Sequence, residues 1–118
     1  MAVYVTIEQI KAANNAAGHH WFKPDTMRFF RSRVSGPVIG NMFVSSEDDR
    51  LGGGRLYTIR RANDDGSIDT VGEFQQYGSK AAALRAIRRM VKENQPCAKC
   101  GRYDLPLHTD GTCPNCHA

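Results

Sequence analysis

Residues 55–94 read RLYTIRRANDDGSIDTVGEFQQYGSKAAALRAIRRMVKEN, and this stretch decides the fold. Arg55 to Ala62 and Ser67 to Tyr77 flank Asn63-Asp64-Asp65-Gly66, whose Asp-Gly pair supplies the positive φ angles of a tight hairpin. Tyr57, Ile59, Ile68, Val71 and Phe74 offer apolar side chains for packing. Val71 and Phe74 are an odd number of residues apart, so they share a face only if a bulge intervenes, with Gly72 the natural place for it. Ser79 is suited to an N-cap, and Lys80 to Asn94 runs without internal Gly or Pro, so a helix is expected there. Leu84, Ile87 and Val91 fall on one side of that helix with Ala83 nearby, whereas Arg85, Arg88, Arg89 and Lys92 gather roughly opposite. Gln95-Pro96 closes it.

Working back toward the amino terminus, Thr6 and Gln9 have capping-box spacing. Ile7, Ile10, Ala13 and Ala17 then recur on one face, and Gly18 is suited to the left-handed position after a helix end. From His19 to Val34 the chain is aromatic and basic, and the alternation over Met27–Val34 is read as a strand. A Gly36-Pro37 turn, a short strand over Val38–Ser45 and an exposed loop over Glu47–Gly54 are expected next. The sum is an α+β domain over residues 1–95, with an N-terminal helix, a small antiparallel sheet and a second helix.

Beyond Pro96, Cys97-Ala98-Lys99-Cys100-Gly101 and Cys113-Pro114-Asn115-Cys116 form two CxxC knuckles separated by twelve residues. Each knuckle turns two sulfurs toward one point, and two knuckles supply four tetrahedral thiolate ligands. This spacing implies one structural Zn²⁺ held by Cys97, Cys100, Cys113 and Cys116, with rubredoxin-type iron and then disulfides as the alternatives. His108 and His117 are read as loop and terminal residues. The tail, residues 96–118, resembles the zinc-ribbon family, and the family's ligands map onto the same four cysteines. A closed Cys₄ site leaves no open position for water, so it implies no hydrolysis.

Among 118 residues, 16 Lys and Arg against 12 Asp and Glu give a formal charge of +4, which four thiolates and one Zn²⁺ would lower to +2. The distribution of charge therefore carries more than its sum. From Lys80 to Arg102, seven basic residues (Lys80, Arg85, Arg88, Arg89, Lys92, Lys99 and Arg102) face one acid, Glu93. A cationic strip of this kind suits the phosphates of DNA or RNA, with Lys80, Arg85, Arg88, Arg89 and Lys92 as the contacts. Trp21, Phe22, Phe29 and Phe30 lie among Lys23, Arg28, Arg31 and Arg33, a mixture that suits base stacking, although burial of most of these rings is the expectation.

No apolar stretch nears the roughly 18 residues of a membrane span, and the first residues lack the pattern of a secretory signal, so no membrane partner and a cytoplasmic setting are expected. Gly52-Gly53-Gly54 lacks the Gly-Lys-Ser/Thr ending of a phosphate loop. His19, His20 and Asp25 are the only residues offering a trace of nuclease chemistry, so no catalytic role is assigned.

The hairpin followed by Gly78-Ser79-Lys80-Ala81-Ala82-Ala83 resembles the end of a double-stranded-RNA-binding domain, or of the arm-binding domains of phage integrases. In the former family lysines at the start of the last helix meet phosphates; Lys80 matches, but Ala81 stands where another basic residue is usual. More broadly, Ala-Gly-His-His-Trp-Phe, Asp-Thr-Met-Arg-Phe-Phe and Asp-Gly-Ser-Ile-Asp-Thr-Val-Gly-Glu-Phe-Gln, within Thr6 to Ala82, are similar to a family of small uncharacterised proteins of bacteriophages and mobile elements. That likeness implies a viral accessory protein in the host cytoplasm. It allows two roles: noncatalytic nucleic-acid binding, or inhibition of a host protein through the ribbon or the acidic-to-glycine loop.

Overall fold

A computed structural model describes residues 3–29, 31–48, 54–99, 101, 103, 107–109 and 111–114. Helix α1 spans Ile7–Ala16. Its capping box forms as the sequence implies: Thr6 Oγ1 accepts from the Gln9 N–H at 3.2 Å, and Gln9 Oε1 accepts from the Thr6 N–H at 3.3 Å. At the other end Gly18, at φ +80°, donates to the Asn15 carbonyl, and His19 donates to that of Asn14. These two bonds make a Schellman motif.

The next element departs from expectation. Pro24–Phe29 is a short helix, α2, rather than the start of a strand. Pro24 occupies the first helical position, Asp25 lies in the first turn, and the Thr26 hydroxyl donates to the His20 carbonyl at 2.8 Å. These start signals outweigh the alternation of Met27 and Phe29.

Strands β1 (Arg33–Ile39), β2 (Met42–Asp48), β3 (Arg55–Ala62) and β4 (Ile68–Val71) form one antiparallel sheet in that order. The expected Gly36-Pro37 turn lies instead inside β1, where the register slips between Ser35 and Ile39. An edge strand tolerates this because one side of it has no ladder to lose. The turn itself is at Gly40-Asn41, with φ +58° and +62°. Two successive positive φ angles are the signature of a two-residue type I′ hairpin, which displaces the β2 boundary from Val38 to Met42. Glu47 and Asp48, expected in an exposed loop, continue β2 opposite Leu56 and Arg55. Residues 49–53 of that loop lie outside the described residues.

Period two divides β2 and β3 between two cores. Met42, Val44 and Ile59 join Val71 and the α3 residues Ala83 and Ile87, α3 being Lys80–Glu93, in one. Phe43 and Ala62 join Tyr4 and Ile10 in the other, with Trp21 and Phe22 packed against them. Thus α3 covers one face, and α1 with the Trp21-Phe22 segment covers the other. This explains why β2 is buried from Met42 to Glu47 without alternation. Ile10, Phe43, Ile59 and Ile87 have no exposed surface, each side chain stabilising the fold by about 1.5–3 kcal/mol.

Strand β4 is shorter than expected. The chain leaves the ladder after Val71 and returns where Tyr77 exchanges both backbone hydrogen bonds with Tyr57, at 2.8 and 3.0 Å. The excursion leaves Phe74 partly exposed and removes any need for a bulge. The Ser79 hydroxyl then caps α3 by accepting from the Ala82 N–H at 3.1 Å. Tyr103 from the tail packs on the first core, close enough to Gly40 that a Cβ there would sit 2.9 Å from its ring.

Candidate nucleic-acid interface and cysteine tail

The two-sided character of α3 follows from its sequence. Ala83 and Ile87 are buried, Leu84, Met90 and Val91 half-buried, while Arg85, Arg88, Arg89 and Lys92 are exposed together on the outer face. Among the described residues none of these four cations is in an ion pair, and Glu93 forms none with them. From Arg85 to Lys92 the strip runs roughly 10 Å at the rise of an α-helix, about three steps along one strand of a duplex. Lys80 does not belong to it. It shares the stripe of Leu84, Ile87 and Val91, and its Nζ donates to Ser35 Oγ and the Gly36 carbonyl, both at 2.7 Å. Lys99 is exposed in the tail, and Arg102 lies outside the described residues.

The aromatic segment belongs mostly to the core. Trp21 meets Phe22 edge-on at 4.8 Å and Phe43 at 5.9 Å. Those rings have little left to offer a base. Phe29 is exposed, and Phe30 lies outside the described residues. Arg31 pairs with Asp48 at 3.4 Å, whereas Lys23, Arg28 and Arg33 are exposed. His19 Nε2 lies 3.2 Å from the Asp65 carbonyl, His20 is exposed, and Asp25 sits in the first turn of α2.

Sequence reasoning missed a buried polar network on the N-terminal face of the sheet. Glu47, fully buried, pairs with Arg60 at 3.1 Å. Ser45 Oγ donates to Glu47 at 2.9 Å and accepts from Arg60 Nε at 3.0 Å, and Arg60 also donates to Thr70 Oγ1. Its guanidinium lies 5.5 Å from the Trp21 ring and 5.4 Å from the Phe74 ring. Burial pulls the Arg60 pKa below the ordinary guanidinium value, and the adjacent Glu47 opposes that pull. Every charged member finds a partner within the network, which braces three strands. The strand pairing is the signal that would have revealed it, because Ser45, Glu47, Thr58 and Arg60 share one face only if β2 continues through Glu47.

In the tail, Cys97 and Cys113 are buried side by side, and the Cys113 N–H donates to Cys97 Sγ at 3.2 Å. The Gly101 N–H donates to the Cys97 carbonyl, Ala98 donates to Gly111, and His108 donates to Thr112, all at 2.8 Å. With the Gly111 N–H donating to the His108 carbonyl at 2.9 Å, these bonds bring Cys97 and Ala98 beside Gly111 to Cys113. Cys100, Cys116 and His117 lie outside the described residues, and His108 is exposed. Among the described residues no three His, Cys, Asp or Glu side chains form a metal-holding group, since only two of the four cysteines fall among them. No helix among those residues is long and apolar enough to cross a membrane.

A family model described as a family of unknown function (DUF7447) matches residues 6–88, well over half of the chain. The chain belongs to DUF7447. The DUF7447 match runs from the α1 cap through the whole sheet to Arg88, so Arg85 and Arg88 fall within it, whereas Arg89, Lys92 and the four cysteines lie beyond. No curated protein and no solved structure matches the chain.

Proposed function

We propose that this DUF7447 protein binds DNA or RNA without catalysis, through phosphate contacts from Arg85, Arg88, Arg89 and Lys92. The observation that carries this reading is the exposed clustering of these four cations on one face of α3, with no ion-pair partner among the described residues. A helix face with four cations against the single acid Glu93 attracts a polyanion, which releases its counterions on binding. Lys80, committed to Ser35 and Gly36, stands apart from this interface.

The cysteine chemistry fits one structural Zn²⁺ on Cys97, Cys100, Cys113 and Cys116. Two of these are already buried side by side, with a backbone N–H aimed at sulfur, as a thiolate requires. The metal would supply cross-linking of the tail and no Lewis-acid chemistry. Such thiols persist in the cytoplasm, and the likeness to bacteriophage proteins supports a role in the host cell.

Fluorescence anisotropy with labelled DNA and RNA tests the interface. The double variant Arg85→Glu, Arg88→Glu is expected to lower affinity at least about tenfold, since each charge reversal exchanges a phosphate attraction for a repulsion. Unchanged affinity would refute the assignment and favour a protein partner. Metal analysis of the purified protein should give one zinc per chain and a colourless solution, whereas rubredoxin-type iron would absorb in the visible.

A further inference from the structure

On the α3 side of the sheet, beside the edge strand, lies a half-open recess of about 230 Å³. Its lining brings together three cations from three elements, Arg33 of β1, Arg55 of β3 and Lys80 of α3, with the hydroxyl groups of Ser35, Ser46 and Tyr57. Val44 supplies an apolar wall, and among the described residues no carboxylate lines the recess. Asp48 is the acid nearby. It pairs with Arg55 at 3.0 Å and with Arg31 at 3.4 Å.

The three cations are not equivalent. Arg55 is held in place: Nη1 bonds Asp48, Nε bonds Ser46 Oγ, and Nη2 bonds the carbonyls of Arg31 and Ser46. Lys80 Nζ is fixed by Ser35 Oγ and the Gly36 carbonyl and keeps one of its three donors for a ligand. Arg33 is exposed and in no ion pair among the described residues. With Asp48 compensating Arg55, the recess keeps two positive charges, on Arg33 and Lys80, that no carboxylate pairs among the described residues. We propose that it is a binding site for the phosphate group of a phosphomonoester.

The charge and shape both select that group. A phosphomonoester carries about −1.5 to −2 at neutral pH, matching Arg33 and Lys80, and its three terminal oxygens suit donors arriving from three walls better than a planar carboxylate does. The volume falls below the roughly 300 Å³ at which cofactor pockets begin, so the recess takes the phosphate and leaves the rest of the molecule outside. This site does not depend on the outer strip of α3, because Arg33, Arg55 and Lys80 take no part in that strip.

Isothermal titration calorimetry of the full chain with adenosine 5′-monophosphate, inorganic phosphate, and one short oligonucleotide bearing either a 5′-phosphate or a 5′-hydroxyl tests the assignment. The two mononuclear probes are expected to bind, and Arg33→Gln, at an exposed position, should weaken them about tenfold, the size of one charge-assisted hydrogen bond, without changing the melting temperature. A gain in affinity confined to the 5′-phosphorylated strand would identify a strand end as the source of the phosphate; equal binding of free nucleotide would identify a small molecule. Arg85→Glu, Arg88→Glu should leave the mononuclear probes unaffected, which separates failure of this site from failure of the strip. Absence of heat with every phosphate probe, or an Arg33→Gln variant that titrates like the parent, would overturn the proposal.

Discussion

Replacing Arg60 by methionine tests whether the Glu47–Arg60 network braces the sheet. Methionine retains part of the aliphatic stem but removes the guanidinium that lies by the Trp21 and Phe74 rings. With it go the 3.1 Å contact to Glu47, the 3.0 Å bond to Ser45 and the bond to Thr70. Glu47 would keep Ser45 at 2.9 Å and the longer contact from Thr58 at 3.5 Å. Water offers little relief, since the Glu47 side chain is 1% exposed and that of Arg60 is 13% exposed. Removing one partner of a buried pair costs about 3–5 kcal/mol, and the surviving Ser45 bond places the expected loss near the lower end, about 3 kcal/mol. For a domain of this size that corresponds to a fall in Tm of roughly 10–15 °C, readable by thermal and urea denaturation. The double variant Glu47→Leu, Arg60→Met removes both charges and should recover at least half of the loss, because no carboxylate is left stranded. A single variant within about 1 kcal/mol of the parent, below the range for stranding a buried charge, or a double variant as unstable as the single, would refute the reasoning.

Other outcomes follow from the same fold. At Gly66, φ is +82° and a Cβ would meet the Ala13 carbonyl oxygen at 2.6 Å, so Gly66→Ala should cost about 2–4 kcal/mol in equilibrium denaturation; a loss under about 1 kcal/mol, less than the left-handed conformation alone costs, would contradict the packing of α1 on the hairpin. Cys113→Ser should abolish zinc retention while the Trp21 near-ultraviolet signal persists, and simultaneous collapse of that signal would show that tail and sheet fold as one unit. The hydroxyl and N–H of Ser67 donate to Asp65 and hold its carboxyl below the usual range. Its contribution is therefore present above the unfolded carboxylate value and lost as pH falls through the lower folded one, so the stability gap between parent and Asp65→Asn should shrink on acidification; a gap that widens would be the wrong sign.

Much of this architecture is legible in the sequence wherever one local signal acts alone. The Thr6–Gln9 box, the left-handed Gly66 of the hairpin turn and the Ser79 cap each fix a backbone donor or a φ angle without help from distant residues, although Asp65, expected to share the positive φ, does not. Reading fails where two signals compete. Pro24 and Asp25 start a helix across residues that alternate like a strand, and Gly36-Pro37 reads as a turn although Gly40-Asn41 makes it. Burial on both faces erases the alternation of β2, so Glu47 looks like a loop residue until Arg60 is placed beside it. The cationic face of α3 is legible at Arg85, Arg88, Arg89 and Lys92, where helical periodicity alone determines it, but not at Lys80, which distant Ser35 and Gly36 hold. The recess at Arg33, Arg55 and Lys80 is not, since three separate elements must meet to form it.

The salt dependence of nucleic-acid affinity tests the central claim most directly. Four phosphate-binding cations predict that log K for duplex DNA falls linearly with log salt concentration with a slope of about −3 to −4, and that Arg85→Glu, Arg88→Glu makes the slope shallower by roughly two. No binding at low salt to any single- or double-stranded DNA or RNA, or an affinity indifferent to salt, would contradict the account.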